Sequence, residues 1–205
     1  MVLPPRERRT LSGWFAIGFH TAAFLLLTIA MFTRNWLEAE KKAYGTAMQS
    51  IGLWTQCFRS LTVTKDVYKT RHFVGCRWLF DPFTTGYDDI REMVQEPFFL
   101  TVQIFFTFAF TMALIAIAMV GMLVFCGGES FERSILRIAY ITSGLSWLFA
   151  FLSVTIFGAR GPDPDWMPHA EHNNLSWSFG LAVVGMVAEF IAAILFWVEW
   201  RIQTR

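Results

Sequence analysis

The run Ala22-Ala23-Phe24-Leu25-Leu26-Leu27 lies at the centre of an apolar stretch that extends from about Leu11 to Thr33. A helix needs roughly 20 consecutive apolar residues to cross the hydrocarbon core of a bilayer. Three arginines precede the stretch, as they would a signal peptide, but its apolar part exceeds the roughly 7–15 residues of a cleaved signal core, and no convincing small-x-small cleavage site follows it. We therefore predict a retained membrane-spanning helix.

Three further stretches have the same length and character: about Phe98 to Cys126, about Ile135 to Phe157 and about Ser176 to Glu199. The second stretch is the longest of the four. Backbone N–H groups must be paired inside hydrocarbon, so each stretch is expected to be a helix. Composition agrees, since 55% of the 205 residues are hydrophobic and only 16% are charged. The sequence predicts one domain over residues 1–205, an all-α membrane protein built on a four-transmembrane-helix bundle.

The distribution of arginine gives the expected orientation, because short cytoplasmic loops are enriched in Lys and Arg. The loop from Gly158 to Leu175 holds only Arg160, whereas arginines collect in or beside the termini and the short middle loop: Arg6, Arg8, Arg9, Arg133, Arg137, Arg201 and Arg205. We expect residues 1–10, 127–134 and 200–205 in the cytoplasm. Loops 34–97 and 158–175 then face the outside.

The long first loop alternates apolar and polar residues with a period of two, which is typical of β-strands. One extended segment is expected to place Ile51, Leu53, Thr55 and Cys57 on one face, with Trp54 and Phe58 on the other. A second segment alternates Val74, Cys76, Trp78 and Phe80 against Gly75 and Arg77. The polar stretch from Lys65 to His72 would connect the two strands.

Cys57 and Cys76 therefore lie on two neighbouring strands in an oxidising compartment, and we predict a disulfide between them. In the loop-entropy model, a closed loop of about 20 residues contributes about 3 kcal/mol to stability. The alternative is a metal site that includes His72. Two cysteines and one histidine without a Cys-x-x-Cys spacing disfavour that alternative.

The first loop also carries a recognisable motif: Trp36, then Gly52-Leu53-Trp54, two residues, Cys57 and later Cys76. This motif, in a long first loop of a four-span chain, resembles the first-loop signature of the claudins and of their relatives, the epithelial and peripheral myelin membrane proteins and the calcium-channel gamma subunits. The resemblance implies a left-handed four-helix bundle with a small extracellular antiparallel β-sheet formed mainly by the first loop. An arginine shortly before the second span recurs in claudins, and Arg91 matches it best.

Three departures from that family pattern affect the interpretation. The cysteines are 19 positions apart, wider than in most vertebrate claudins, and the second span opens with Pro97-Phe98-Phe99-Leu100-Thr101-Val102-Gln103. Both features resemble the claudin-like proteins of invertebrate septate junctions. The C-terminus, Ile202-Gln203-Thr204-Arg205, lacks a hydrophobic last residue, so capture by a PDZ domain is not expected.

Two polar residues interrupt the apolar spans, His20 in the first and Glu189 in the fourth. An unpaired charge inside the bilayer costs at least a few kcal/mol. The two residues lie at similar depths, roughly 14 and 15 Å from the cytoplasmic ends of their helices. We predict that they form a buried hydrogen bond or ion pair; a transport or proton-relay role is the alternative.

Small residues recur at a spacing of four in three spans, where they permit close helix packing. The pairs are Gly18 with Ala22, Ala109 with Ala113, and Ala188 with Ala192. Oligomer contacts are the alternative use of these pairs. Cys126 lies where the second span meets the cytoplasm, and is either palmitoylated or an unmodified interfacial thiol.

The second loop contains two further features. Asn174-Leu175-Ser176 is a glycosylation sequon, but it lies so close to the fourth span that access for the transferase would be poor. A proline-rich segment ends in Trp166-Met167, an apolar pair expected to be exposed. The second loop contacts the partner in claudins, so Trp166 and Met167 are candidates for contact with an opposing cell. A tryptophan anchored among lipid headgroups is the alternative.

These observations favour a non-enzymatic, claudin-like protein of cell–cell junctions at the plasma membrane, septate or tight, that restricts paracellular flow. Its expected partners are the bilayer and other claudin-like or junction proteins, including itself; no cofactor is expected, and a net charge of +1 gives no indication of a nucleic-acid partner. The second hypothesis is an auxiliary or trafficking subunit of a channel or receptor. The third is an enzyme or transporter, which no catalytic motif supports.

Overall fold

A computed structural model describes residues 9–40, 47–62, 72–83, 91, 92, 94–125, 129–166 and 172–204. Four helices within these ranges are long and apolar enough to cross a membrane: α1 (Leu11–Phe32), α2 (Pro97–Phe125), α3 (Glu129–Arg160) and α4 (Trp177–Thr204). They form a bundle. Five strands complete the fold: β1 (Leu37–Ala39), β2 (Met48–Ile51), β3 (Thr55–Thr62), β4 (His72–Trp78) and β5 (Asn173–Leu175). The predicted fold class is confirmed.

The helices extend beyond the predicted apolar spans at several ends. α3 begins at Glu129, inside the segment 127–134 that was expected to be a loop, and it continues to Arg160. With 32 residues it is longer than α2, which has 29. α4 likewise includes all but the last residue of the expected tail. An apolar run marks the part of a helix that lies in hydrocarbon, whereas the hydrogen-bonded helix continues into water with polar side chains.

Buried residues recur along the helices at alternating spacings of three and four. In α2 they are Phe99, Val102, Phe106, Ala109, Ala113, Ala116, Val120 and Leu123, and in α1 they are Ala16, His20, Ala23, Leu27 and Ala30. This period of 3.5 residues favours left-handed supercoiling of packed helices. The many alanines in these stripes let helix backbones approach closely.

The predicted small-residue pairs divide between buried and exposed positions. Ala109 and Ala113 are fully buried, as is Ala192, so close packing uses these residues. Gly18 and Ala22 are exposed, and the packing predicted for them is wrong. The buried face of α1 is the one that carries Ala16, His20 and Ala23, and Gly18 and Ala22 lie on a different face of the helix.

One compact unit comprises Met1–Thr28, Phe105–Phe151 and Ala182–Arg205. Its core includes residues of all four helices: Ala16, Val120, Leu123, Ile135, Leu136, Ala139, Ala192 and Phe196. The buried carboxylate of Glu199 on α4 accepts hydrogen bonds from the Thr10 backbone N–H at 3.3 Å and from the hydroxyls of Thr10 and Ser12. Glu199 thus caps the start of α1, where unpaired N–H groups and the helix dipole favour an anion.

The second compact unit comprises Ile29–Ile104 and Leu152–Leu181 and contains the sheet. The strand order is β4-β3-β2-β1-β5, and every neighbouring pair is antiparallel. The first four strands come from the first loop, as predicted, whereas β5 comes from the second loop and had no alternating pattern to reveal it. Leu37 of β1 faces Ile51 of β2 on one side and Leu175 of β5 on the other.

Gly185 offers a test of how tightly the helices of the first unit pack. A Cβ atom added at this buried glycine of α4 would lie 3.2 Å from the Cβ of Leu26 and from the Cδ2 of Leu27. We expect Gly185→Val to destabilise the protein by about 1–3 kcal/mol through overpacking, seen as a lower unfolding temperature in detergent. Gly180→Val is the matched control, because a Cβ at Gly180 meets no atom within 4 Å. Equal unfolding temperatures for the two variants would contradict tight packing at Gly185.

Candidate functional site: the disulfide-linked sheet

Cys57 and Cys76 face each other across the β3–β4 pair and form the predicted disulfide, with their Cα atoms 4.0 Å apart. Cys57 is fully buried. The guanidinium of Arg34 donates hydrogen bonds to both sulfurs, at 2.7 Å to Cys76 Sγ and 3.4 Å to Cys57 Sγ. Since each sulfur is bonded to the other, neither is a free thiolate, and the alternative of a metal site with His72 is wrong.

The segment Gly52-Leu53-Trp54 is a turn between β2 and β3, not part of one continuous strand as the alternation predicted. The Gly52 N–H donates to the Thr55 carbonyl at 2.9 Å. A Cβ at Gly52 would lie 2.4 Å from the Thr33 carbonyl oxygen and 2.5 Å from the Arg34 Cα. Only glycine allows this turn to lie directly against the chain that leaves α1. The period-two alternation of apolar residues continues from Ile51 through Leu53 to Cys57, so the sequence pattern gave no sign of a turn at this point.

The other two residues of the turn attach the sheet to the helices. Leu53 is fully buried, and its carbonyl accepts a hydrogen bond of 2.6 Å from the buried side-chain amide of Gln103 on α2. The Trp54 indole N–H donates to the Met31 sulfur at 3.4 Å, in the last turn of α1. Buried polar groups need such partners, because an unsatisfied one costs about 1–3 kcal/mol.

Trp36 has the largest side chain among the fully buried residues that the structure describes in the second compact unit. Its indole N–H donates to the Ala30 carbonyl at 2.7 Å, at the end of α1. Its ring packs edge-on against Phe157 of α3 and Phe179 of α4, with centroid distances of 5.0 and 5.8 Å. The Trp36 backbone N–H also donates to the Ile51 carbonyl at 2.9 Å. One residue thus joins the sheet, through its backbone, to three helix ends, through its side chain.

An exposed apolar patch lies on the edge strand β4 and the turn that follows it. Val74, Trp78 and Phe83 are 64%, 54% and 92% exposed, and Phe80 is also exposed. The rings of Trp78 and Phe80 are in edge contact at 5.5 Å, and Phe80 also contacts Trp54 at 6.2 Å. We call Val74, Trp78, Phe80 and Phe83 the β4 patch. Exposed apolar patches outside the membrane-spanning segments are candidates for interaction sites.

Comparison with protein-family models matches residues 21–198 to the family described as PMP-22/EMP/MP20/claudin tight junction. The matched region covers most of the chain and includes α2, α3, the sheet and the larger parts of α1 and α4. The chain belongs to this family. A search of curated proteins finds no match.

Membership of the claudin family makes the chain an integral membrane protein with four spans, in a family of non-enzymatic membrane proteins. It also explains why the signature residues converge in one place. Trp36, Leu53 and Trp54 contact residues near the ends of membrane helices, Gly52 lies against the chain that leaves α1, and the cysteine pair links the two strands that follow. The claudin signature residues Trp36, Gly52, Leu53 and Trp54 thus attach the sheet to the helix ends, and we call this group of contacts the sheet joint.

Trp166 is not the exposed contact residue that the sequence suggested. It is only 4% exposed, and its indole N–H donates to the Val94 carbonyl at 3.1 Å. Its ring packs against Phe98 and Phe99 of α2, with centroids at 4.9 and 5.3 Å, and against Phe157 of α3. The aromatic residues at the start of α2 provide this site, which a loop pattern cannot reveal. Met167 lies outside the described residues.

The remaining loop residues are placed as follows. Asn174 is exposed on the edge strand β5, opposite Glu38 of β1, and lies three residues before α4 begins. Glycosylation there remains a prediction. Arg91 lies in a short helical segment before α2, and its carbonyl accepts a hydrogen bond from the Gln95 N–H at 2.8 Å. Cys126 lies outside the described residues, so its acylation also remains a prediction.

His20 and Glu189 are brought together in the other compact unit, where both are fully buried. The His20 Nδ1 atom lies 2.9 and 3.1 Å from the two carboxylate oxygens of Glu189, and 3.4 Å from the Ser143 hydroxyl. The ring of Phe196 contacts the imidazole edge at 6.0 Å. Among the residues that the structure describes, none forms a hydrogen bond with the His20 Nε2 atom. This geometry fits the structural pair expected from the sequence.

Sequence reasoning missed two residues of the sheet joint, Arg34 and Gln103. Arg34 covers the disulfide and Gln103 holds the Leu53 carbonyl. Gln103 gave a usable signal, because an amide side chain within an apolar span needs a buried partner. Arg34 gave none, since an arginine just after a span is ordinarily a headgroup contact.

Gly52→Ala tests the joint directly. The added methyl group would meet backbone atoms that cannot move aside, so we expect misfolding, with strongly reduced surface delivery and reduced disulfide formation on non-reducing gels. Gly18→Ala is the matched control in open space and should behave as the wild type. Normal delivery and oxidation of Gly52→Ala would show that the close contact is dispensable.

The buried pair is tested by a double-mutant cycle. Glu189→Leu leaves the His20 Nδ1 atom without its carboxylate, which we expect to cost about 1–3 kcal/mol of stability. Removing both polar groups with His20→Leu and Glu189→Leu should recover most of that loss, because an apolar pair has no unsatisfied group. Thermal unfolding in detergent measures each variant. Additive losses in the double variant, or no loss in Glu189→Leu, would contradict the pairing.

Proposed function

We propose that this claudin-family protein works at cell–cell junctions, where its extracellular sheet associates with neighbouring junction proteins and restricts paracellular flow. The observation that carries this proposal is the β4 patch. Phe83 is 92% exposed, and Val74 and Trp78 are more than half exposed, and all three lie in the first loop outside the four membrane-spanning helices. Burying such side chains is worth about 25 cal/mol per Å² of apolar surface.

The patch is suited to association because its scaffold is rigid. The disulfide lies two residues from Trp78, and β4 is hydrogen-bonded along β3 from Thr55 to Thr62. On β1, next to the edge strand β5 at the other side of the sheet, Glu38 accepts a hydrogen bond of 2.9 Å from the Ser176 hydroxyl, just before α4. A preorganised surface binds more tightly, because little side-chain and loop entropy is lost on association.

The orientation that the arginine distribution favours would place this sheet outside the cell and both termini in the cytoplasm. A disulfide in the first loop supports the same orientation, because such bonds persist in oxidising compartments. On an outer face, the β4 patch could meet other copies or other claudin-like proteins, in the same membrane and on the next cell. The barrier then results from packing of these sheets, without catalysis.

We further propose a septate rather than a tight junction. The separation of 19 positions between the cysteines lengthens the β3–β4 hairpin, and the phenylalanine-rich start of α2 holds Trp166. Both features support the resemblance to invertebrate junction proteins. Co-localisation of the tagged protein with septate strands in electron micrographs of an invertebrate epithelium would test this finer assignment, and enrichment elsewhere would reject it.

The junction function is tested by depleting the protein from a polarised epithelium and restoring it with tagged variants. We expect accumulation at cell borders and leakage of a paracellular dye on depletion. Phe83→Ser should reach the surface normally, because this side chain is almost fully exposed, yet it should lose border enrichment and fail to restore the barrier. Leu175→Ser is the matched control, an exposed apolar residue on β5 at the other edge of the sheet.

The outcomes separate the competing functions. Border enrichment with normal dye exclusion on depletion would reject a barrier role. Co-purification with one channel or receptor, without border enrichment, would favour an auxiliary subunit. Full restoration by Phe83→Ser would remove the β4 patch as the basis of association.

A further inference from the structure

The two sulfurs of the disulfide differ in their access to solvent. Cys57 is fully buried, whereas Cys76 lies on the edge strand β4 and is only partly buried. Val74 and Trp78, the residues two positions before and after Cys76 on the strand, are both more than half exposed. A nucleophile from solvent can therefore approach the sulfur of Cys76, while the protein covers the sulfur of Cys57.

Arg34 places a positive charge beside both sulfurs. Its Nη1 atom lies 2.7 Å from Cys76 Sγ and 3.4 Å from Cys57 Sγ. Arg34 is exposed, just after the end of α1, and no carboxylate in the described part of the chain forms an ion pair with it. No described carboxylate therefore competes with the sulfurs for this charge.

This contact favours the opened bond over the intact one. A disulfide sulfur is neutral and is a weak hydrogen-bond acceptor, so the guanidinium gains little from it. A thiolate carries a full negative charge, and its hydrogen bond from an arginine is charge-assisted and much stronger. Arg34 thus stabilises a thiolate formed at either cysteine, and also the negative charge that spreads over the sulfurs while a thiolate attacks.

The sequence between the two cysteines is also basic. It contains four positively charged residues and one acidic residue: Arg59, Lys65, Lys69 and Arg71, against Asp66. An excess of positive charge raises the local concentration of anions and speeds their encounter with the protein. A thiol that carries carboxylates is therefore the class of small thiol that this charge favours.

We propose that Cys76 is a site of thiol–disulfide exchange with a small acidic thiol, and that Arg34 promotes the reaction. The thiolate of the small molecule attacks Cys76 Sγ and forms a new S–S bond with it. The bond between the two cysteines breaks, and its electron pair leaves with Cys57 Sγ, which becomes a thiolate beside Arg34. One thiolate is consumed and one is formed, so this step needs no other oxidant or reductant.

Exchange would remove the covalent link between β3 and the edge strand β4. The β4 strand would then be held to the sheet by hydrogen bonds alone, and Trp78 of the β4 patch lies two residues from the opened bond. A weaker association with neighbouring proteins follows, and this consequence alone rests on the proposed junction function. The exchange itself is measured on purified protein, so its failure and a failure of the junction function are distinguishable.

Two substitutions of Arg34 separate its charge from its shape. Arg34→Gln removes the charge from an exposed side chain, and Arg34→Lys retains it. Arg160→Gln is the matched control, because it removes one positive charge from another exposed arginine, whose contacts are with Asp163 and Phe98. The oxidised forms of all three variants should unfold at the wild-type temperature, since exposed substitutions cost little stability.

The experiment uses the full chain in detergent, with Cys126→Ser in every variant so that the disulfide pair contains the only cysteines. Each protein is incubated with millimolar reduced glutathione, free thiols are blocked with N-ethylmaleimide at successive times, and peptide mass spectrometry locates both adducts. We expect glutathione on Cys76 and N-ethylmaleimide on Cys57. Arg34→Gln should slow this labelling at least about tenfold, because a charge-assisted hydrogen bond is lost, whereas Arg34→Lys and Arg160→Gln should remain within about threefold of the wild type.

A second measurement needs no substitution at Arg34. Neutral 2-mercaptoethanol should react more slowly than glutathione at equal thiolate concentration, and high salt should slow glutathione more, because salt screens the attraction of an anion. This arm decides the proposal if Arg34→Gln does not fold.

Four results would overturn the proposal. Glutathione on Cys57 would show that the buried sulfur is the one attacked. A wild-type rate in Arg34→Gln, or equal slowing in Arg34→Gln and Arg160→Gln, would remove the specific role of Arg34. Equal, salt-independent rates for the two thiols would remove the preference for an acidic thiol. A disulfide that stays intact in the wild type would show a purely structural bond.

Discussion

The close contact between Gly52 and the chain leaving α1 is the constraint on which the extracellular part of this protein depends. A side chain at position 52 would overlap the Thr33 carbonyl and the Arg34 Cα. Because glycine fits there, the turn carries Leu53 into the core and Trp54 onto Met31, and it lets the Gln103 amide reach the Leu53 carbonyl. The sheet is therefore positioned by the close contact between two backbone segments. Side chains such as Gln103 then form hydrogen bonds with the backbone groups that this contact buries.

The disulfide and the tryptophans reinforce this joint from different directions. The bond between Cys57 and Cys76 joins the strands that extend away from the turn, and Trp36 fills the space among the ends of α1, α3 and α4. Trp166 fills a neighbouring space against Phe98 and Phe99, and Phe157 contacts both tryptophans. Aromatic residues bury large areas with few rotatable bonds, so these ring contacts restrict the motion of the sheet against the helix ends. A rigid domain is what a surface patch such as Trp78 and Phe83 requires for selective association.

In the other compact unit, small buried residues and hydrogen-bonded polar pairs hold the helices together. Alanines recur along the buried stripes, and the His20–Glu189 pair and the Glu199 cap satisfy polar groups where water is excluded. The Ser146 hydroxyl likewise donates to the Ala109 carbonyl at 2.9 Å. Such contacts give the bundle a defined register that van der Waals packing alone would specify less well.

Amino-acid sequence alone was sufficient for the four helices, because hydrocarbon permits only segments whose backbone bonds are internal. It also predicted the cysteine pair, from the compartment and the alternating strands, and the family signature. It could not show that Gly52-Leu53-Trp54 is a turn, that β5 completes the sheet, or that Trp166 is buried. Those features depend on which segments, far apart in the chain, come into contact. The local composition and alternation around a residue do not show whether a distant segment covers it. Tertiary structure alone decided them, through contacts between residues far apart in the chain.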